Sequence, residues 1–161
     1  MNTDKPKIVV VNGTADEGYW AVKYLLDTGK FRVRTTARRL EGPRIERLKA
    51  LEVNGNRCEI VKAATRDKAA LIKAFEGAEG IYGTSVYNIY AKRYRAANPE
   101  EMAQCHALIE AAKTCTTLKH FVWQTMTRFD VEPKDLGLEA PIHFRTKWLY
   151  EDVIKESGLP W

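Results

Sequence analysis

Cysteine is scarce in this chain of 161 residues, and its three thiols (Cys58, Cys105 and Cys115) stand at unrelated spacings with no C-x-x-C pair. An odd, scattered set fits reduced thiols in a cytosolic protein better than a disulfide framework. Long apolar runs are missing as well. The longest, Ile8–Val11 and Gly80–Val86, fall far short of the ~20 residues that cross a bilayer, so no membrane partner is expected. Met1–Lys7 is polar and lacks the apolar core of a secretory signal. The expectation is a cytoplasmic protein, with a nuclear location left open. A dense block of one charge is absent too. The net charge of +5 is spread along Arg32–Arg57 and Lys92–Arg95, interrupted by Glu41, Glu46 and Glu52. A nucleic-acid footprint needs a denser face, so nucleic acid is not expected as a partner. His106 and His120 show no metal-type spacing with an acid or a cysteine, and no metal is expected.

What is present is an alternation of short β-branched runs and amphipathic segments. Ile8–Asn12 reads as a strand buried on both faces, because its apolar residues do not alternate with polar ones. Tyr19–Thr28 follows as a helix with Val22, Leu25 and Leu26 on one face and Gly29 as its C-terminal stop. Phe31–Ala37 is a second strand. Pro43 opens a helix through Leu51, with Ile45, Leu48 and Leu51 at helical spacing. Cys58–Lys62 is a third strand, and Asp67 caps a helix Lys68–Glu76 whose apolar face is Leu71, Ile72 and Phe75. Gly80–Thr84 is a fourth strand, and Ser85–Asn98 a loop with a helical turn. Pro99–Lys113 is a helix containing Met102, Leu108 and Ile109, and Lys119–Gln124 a fifth strand. Thr127–Ile142 reads as a surface loop, and His143–Ser157 as the last helix. Five strand–helix alternations without a tandem hairpin predict an α/β fold with a parallel, doubly wound, Rossmann-type sheet in one domain spanning 1–161. Such sheets bind ligands outside the carboxyl ends of their strands.

Two segments carry chemistry in that frame. The turn after the first strand reads Asn12-Gly13-Thr14-Ala15-Asp16-Glu17-Gly18. A turn there approaches a pyrophosphate with bare backbone, and the following helix supplies free N–H groups and a partial positive charge. The strict G-x-G-x-x-G is absent: Gly18 keeps the last glycine, whereas Ala15 stands where a second glycine admits phosphate most closely. Asp16 and Glu17 disfavour an anion unless they point outward. The end of the second strand, Arg34-Thr35-Thr36-Ala37-Arg38-Arg39, has no acid for a ribose 2′-hydroxyl. Arg38 and Arg39 are either solvated loop residues or, beside a phosphate turn, ligands of a 2′-phosphate. The second alternative favours NADP(H) over NAD(H).

With these pieces the chain resembles the NmrA-like family, atypical short-chain dehydrogenase/reductase relatives that include redox-sensing regulators and isoflavone-reductase-like enzymes. The resemblance rests on V-V-N-G-T-A-D-E-G at the first turn, A-V-K-Y-L-L at Ala21–Leu26 and V-R-T-T-A-R at Val33–Arg38. It continues in A-F-E-G-A-E-G-I-Y at Ala74–Tyr82, L-K-H-F-V-W at Leu118–Trp123, H-F-R-T-K at His143–Lys147 and S-G-L-P at Ser157–Pro160. It implies a pyrophosphate contact by Gly13–Gly18 and a 2′-phosphate contact by Arg38. It also implies a nicotinamide-ribose lining by Thr84, Ser85 and Val86, with Thr125 after the fifth strand and Lys147 on the last helix. Ala63-Ala64-Thr65 departs from the family's Gly-Asp pair, whose carboxylate reads the adenine.

The Ser-Tyr-Lys set of short-chain dehydrogenases is absent: His143, not Tyr, precedes Lys147 by four residues, and Gln124-Thr125 stands where the serine is usual. His143 reads as a proton donor or, in preference, as a structural helix-start histidine. The family's chain runs on past G-L-P into a sixth strand and a substrate-covering region, so the fold is expected to be C-terminally incomplete. The leading expectation is a dinucleotide-responsive regulator or redox sensor that acts on a protein partner or as a homodimer. The alternative is an NADPH-dependent reductase of quinone- or isoflavonoid-like molecules, with Lys147 and His143 in catalysis.

Overall fold

Strand β1 (Lys7–Val10) runs through the middle of the molecule and buries both of its faces. Val9 and Val11 pack into one apolar cluster and Val10 into another, on opposite sides of the sheet. This is what an uninterrupted β-branched run dictates, since successive side chains point to opposite faces. The computed structural model describes residues 5–87, 98–126 and 142–161, apart from the side chains of residues 142 and 143.

The remaining elements follow in chain order as α1 (Asp16–Asp27), β2 (Arg32–Ala37), α2 (Pro43–Lys49), β3 (Glu52–Val53), β4 (Asn56–Arg57), β5 (Glu59–Lys62), α3 (Lys68–Phe75), β6 (Gly80–Gly83), α4 (Pro99–Ala112), β7 (His120–Trp123) and α5 (Ile142–Glu156). Five strands form one sheet in the order β5-β2-β1-β6-β7, and every pairing in it is parallel. Strand order therefore reverses between β1 and β6, where a doubly wound sheet opens a crevice for ligands. One core joins Val10, Val22, Leu26, Val33, Ile45 and Leu48, so α1 and α2 cover one face. The other joins Leu71, Phe75, Ile81, Leu108, Phe121 and Ile154, so α3, α4 and α5 cover the opposite face.

The caps are where local chemistry places them. Asp67 accepts a hydrogen bond from the Ala70 amide at 3.0 Å, and Asn98 accepts from the amides of Glu100 and Glu101 at 2.9 and 3.3 Å. Gly29 ends α1 with φ +63°, a left-handed conformation that glycine adopts without strain.

Three expectations are corrected. Helix α1 starts at Asp16 rather than Tyr19, because Ala15 in extended conformation already ends the turn. A short hairpin, β3–β4, is present where none was expected. Its two-residue Asn54–Gly55 turn has both φ angles positive, at 51° and 75°, the geometry that an Asn-Gly pair favours. Helix α2 ends at Lys49 rather than Leu51, because the Leu51 amide turns back to the Leu48 carbonyl at 3.1 Å and closes the helix with a tighter turn. The expected loop with a helical turn falls mostly, and the expected loop Thr127–Ile142 almost wholly, outside the described residues.

Candidate functional site

The turn between β1 and α1 lies at the carboxyl end of the central strand and is held there by β2. Thr36 supplies two anchors: its hydroxyl accepts the Asn12 amide at 2.9 Å, and its carbonyl accepts the Gly13 amide at 3.1 Å. The Thr35 hydroxyl donates to the Val10 carbonyl at 2.8 Å. Asn12 adopts φ +58°, and its side-chain oxygen accepts from the Thr14 hydroxyl at 3.2 Å. Both glycines of the turn are required sterically. A Cβ at Gly13 overlaps the Thr35 hydroxyl, and one at Gly18 overlaps the Asn12 carbonyl oxygen and lies 2.9 Å from the Gly13 Cα.

The helix that follows is open at its N-terminus. Ala15, its N-cap, has no side chain that bonds to the first-turn amides, so these point toward any acceptor seated on the turn. The two carboxylates of that first turn are both exposed. Asp16 lies 3.8 Å from the Arg47 guanidinium. Arg47 in turn stacks on the Tyr19 ring at 3.6 Å. Glu17 bears on the switch point: burial, with the Glu17 charge second, pushes the Tyr82 phenol of β6 above its ordinary range.

Two further cations, Arg44 and Lys62, join the arginine pair at the end of β2. The Arg44 guanidinium of α2 donates to the Thr14 carbonyl at 3.1 Å. Arg38 and Arg39, both exposed, line a cleft of about 630 Å³ together with Leu40, Glu41 and Lys62. Lys62 ends β5 in register with Ala37, the residue before Arg38. The signal for Lys62 lay in topology rather than in spacing, because only the β2–β5 pairing brings it beside the arginines. Ala63 is buried against the end of β2, its amide bonded to the Ala37 carbonyl at 2.9 Å.

On the far side of the switch point, Thr84 and Ser85 are buried and Val86 is 42% exposed. The Thr84 hydroxyl is hydrogen-bonded to the Gln124 side chain. Thr125, partly buried, has its hydroxyl 3.4 Å from the Met126 carbonyl. Lys147 of α5 is 5% exposed and Glu101 of α4 fully buried. The Lys147 ammonium donates to the Ser85 carbonyl at 2.6 Å and to the Ser85 hydroxyl at 2.9 Å, and lies 3.3 Å from a Glu101 oxygen. The Ser85 hydroxyl donates to the same Glu101 oxygen at 2.7 Å. The other Glu101 oxygen has no hydrogen-bond partner among the described residues. Cys105 borders this cluster, and burial pushes its thiol up to about 12, so it stays protonated and unreactive at neutral pH. His143 falls in the first turn of α5, and its side chain lies outside the described residues. Among the described residues, no group of three or more His, Cys, Asp or Glu is placed to hold a metal, and no helix is long and apolar enough to cross a membrane.

Residues 4–161, nearly the whole chain, match the NmrA-like family. The chain belongs to the NmrA-like family. Its fold is similar to that of NmrA, a negative transcriptional regulator, with a TM-score of 0.74 at 21% identity over 98% of this chain and 44% of NmrA. NmrA has also been solved in complex with NADP, at TM-score 0.69, 21% identity and the same 98% and 44% coverage. Vestitone reductase from alfalfa (Medicago sativa) matches with TM-score 0.71 and 20% identity, over 96% of this chain and 53% of the reductase. This NmrA-like chain thus spans about half the length of these proteins, or less.

Proposed function

We propose that this NmrA-like chain binds a dinucleotide at the β1–α1 turn, prefers NADP(H) over NAD(H), and acts as a dinucleotide-responsive regulator or redox sensor. The observation that carries the proposal is a glycine cradle, closed to any Cβ at positions 13 and 18, beside a cleft lined by Arg38, Arg39 and Lys62. The residues fit such a ligand. The bare turn and the uncapped start of α1 would hold the pyrophosphate, and the cation-lined cleft would hold a 2′-phosphate where an NAD site usually has a carboxylate. Thr84, Ser85, Val86 and Thr125 would face the nicotinamide ribose. The chemistry such a cofactor supplies when bound is hydride transfer; what this chain contributes is recognition.

Occupancy would then change association with a protein partner or a second copy. The enzymatic reading, with Lys147 and His143 in catalysis, is weakened by the burial of Lys147, whose ammonium makes two hydrogen bonds to Ser85 and an ion pair with Glu101. Titration of the chain with the four dinucleotides, followed by tryptophan fluorescence, tests the proposal. NADPH and NADP⁺ are expected to bind about tenfold or more tightly than NADH and NAD⁺, the contribution of one charge-assisted contact. Equal affinities for the two pairs would refute the preference. Trp20 reports on the event, since it is half-exposed and packs edge-on against Tyr19 at 5.6 Å just past the turn.

A further inference from the structure

The seam between α4, α5 and the end of β6 does more than fill space. Two successive residues after β6 are gripped by two residues one helical turn apart on α4. Glu101 takes the Ser85 hydroxyl at 2.7 Å. Gln104 takes both backbone groups of Val86, accepting its amide and donating to its carbonyl, each at 3.0 Å. The same Gln104 oxygen accepts the Thr65 hydroxyl at 2.8 Å, tying in the segment after β5. Lys147 completes the grip on Ser85 from α5. Its own position is fixed twice: the Trp123 indole donates to its carbonyl at 3.0 Å, and the neighbouring Thr146 hydroxyl accepts the Asn98 amide at 2.9 Å.

The Lys147 ammonium donates two hydrogen bonds, to the Ser85 carbonyl and hydroxyl, and forms an ion pair with Glu101 at 3.3 Å. Taking both charges out of water is costly; their pairing and the Ser85 hydrogen bonds to each offset that cost, although the second Glu101 oxygen has no partner among the described residues. We infer that Glu101 is a positioning residue for the dinucleotide cleft: it holds Lys147 against Ser85, so that the lysine fixes the Thr84–Val86 backbone. The inference rests on the dinucleotide reading for its effect on binding, whereas the ion pair itself is independent of that reading.

The test compares Glu101→Gln, Lys147→Met and the double variant in the full chain, by thermal unfolding and by NADPH titration. Each single variant strands one buried charge. Each is expected to lower Tm by about 10 °C and to weaken NADPH binding about tenfold. The double variant removes both charges, and is expected to regain most of the Tm but to bind NADPH as weakly as Lys147→Met, because the ammonium that fixes Ser85 is gone. A Glu101→Gln variant that binds NADPH with wild-type affinity would overturn the inference, because the lysine would then hold Ser85 without Glu101. Single variants with unchanged Tm would overturn it too, by denying the pair. A wild-type chain that binds no dinucleotide refutes the dinucleotide reading and the positioning role together, whereas non-additive Tm values in the three variants still decide the Glu101–Lys147 pair.

Discussion

Gly18→Ala is expected to destabilise the chain by about 1–3 kcal/mol, lowering Tm by several degrees, and to abolish detectable NADPH binding. The added methyl carbon has no room. The Asn12 carbonyl oxygen overlaps its position, and the Asn12 carbonyl carbon and the Gly13 Cα lie 2.9 Å from it. The obstacles are backbone atoms, which cannot rotate away as the end of a side chain can. Relief requires α1 to move off β1, and α1 carries the first-turn amides proposed to meet the pyrophosphate. Stability and binding are therefore expected to fall together. A Gly18→Ala protein that unfolds at the wild-type temperature and binds NADPH with wild-type affinity would mean that the turn is neither rigid nor part of the site. The measurement is a thermal melt followed by a calorimetric titration.

Arg38→Ala is expected to weaken NADPH binding about ten- to a hundredfold and to leave NADH binding nearly unchanged. A hydrogen bond to a charged group contributes about 1.5–3 kcal/mol, and each 1.4 kcal/mol is a factor of ten in affinity. The selectivity follows from location. Arg38 is the first residue past β2, on the cleft it shares with Arg39 and Lys62, and is not part of the turn proposed for the pyrophosphate. Only the 2′-phosphate distinguishes the two nucleotides, so loss of a cation that reads it should fall on NADPH alone. Because these cations are exposed, the preference should also shrink as salt rises. Parallel titrations of wild type and variant with both nucleotides give the ratio directly. An equal loss for NADPH and NADH would place Arg38 on a part common to both, or make it a structural residue.

Much of the architecture was legible in local pattern. Ile8-Val9-Val10 could only be a strand buried on both sides, and Ile45 and Leu48 could only be one helical face, although the helix stops before Leu51. Asp67 and Pro43 announced helix starts, and the position of the turn after the first strand located the candidate site. What was illegible depended on pairing between distant residues. Thr35 and Thr36 looked like ordinary strand residues, yet they anchor the turn through their hydroxyls and a carbonyl. Lys62 looked like a solvated strand end until β5 lay beside β2. Glu101 is one of two first-turn acids on α4, a place the helix dipole favours, and nothing in its spacing marks it out. Its full burial against Lys147 needed α4 and α5 packed together. The Asn54–Gly55 hairpin is a different case: the dipeptide was in plain view, but its flanking strands are two residues each, too short for a period-two pattern to register.

The central claim is that a dinucleotide seats its pyrophosphate on the β1–α1 turn and its 2′-phosphate in the Arg38–Lys62 cleft. Amide chemical-shift mapping of the ¹⁵N-labelled chain during NADPH addition tests it most directly. The account predicts the largest shifts at Gly13, Asp16, Glu17, Gly18, Arg38 and Arg39, with NADH reproducing the turn shifts but not those at Arg38 and Arg39. Saturating NADPH that leaves the amides of Gly13–Gly18 unmoved would contradict it.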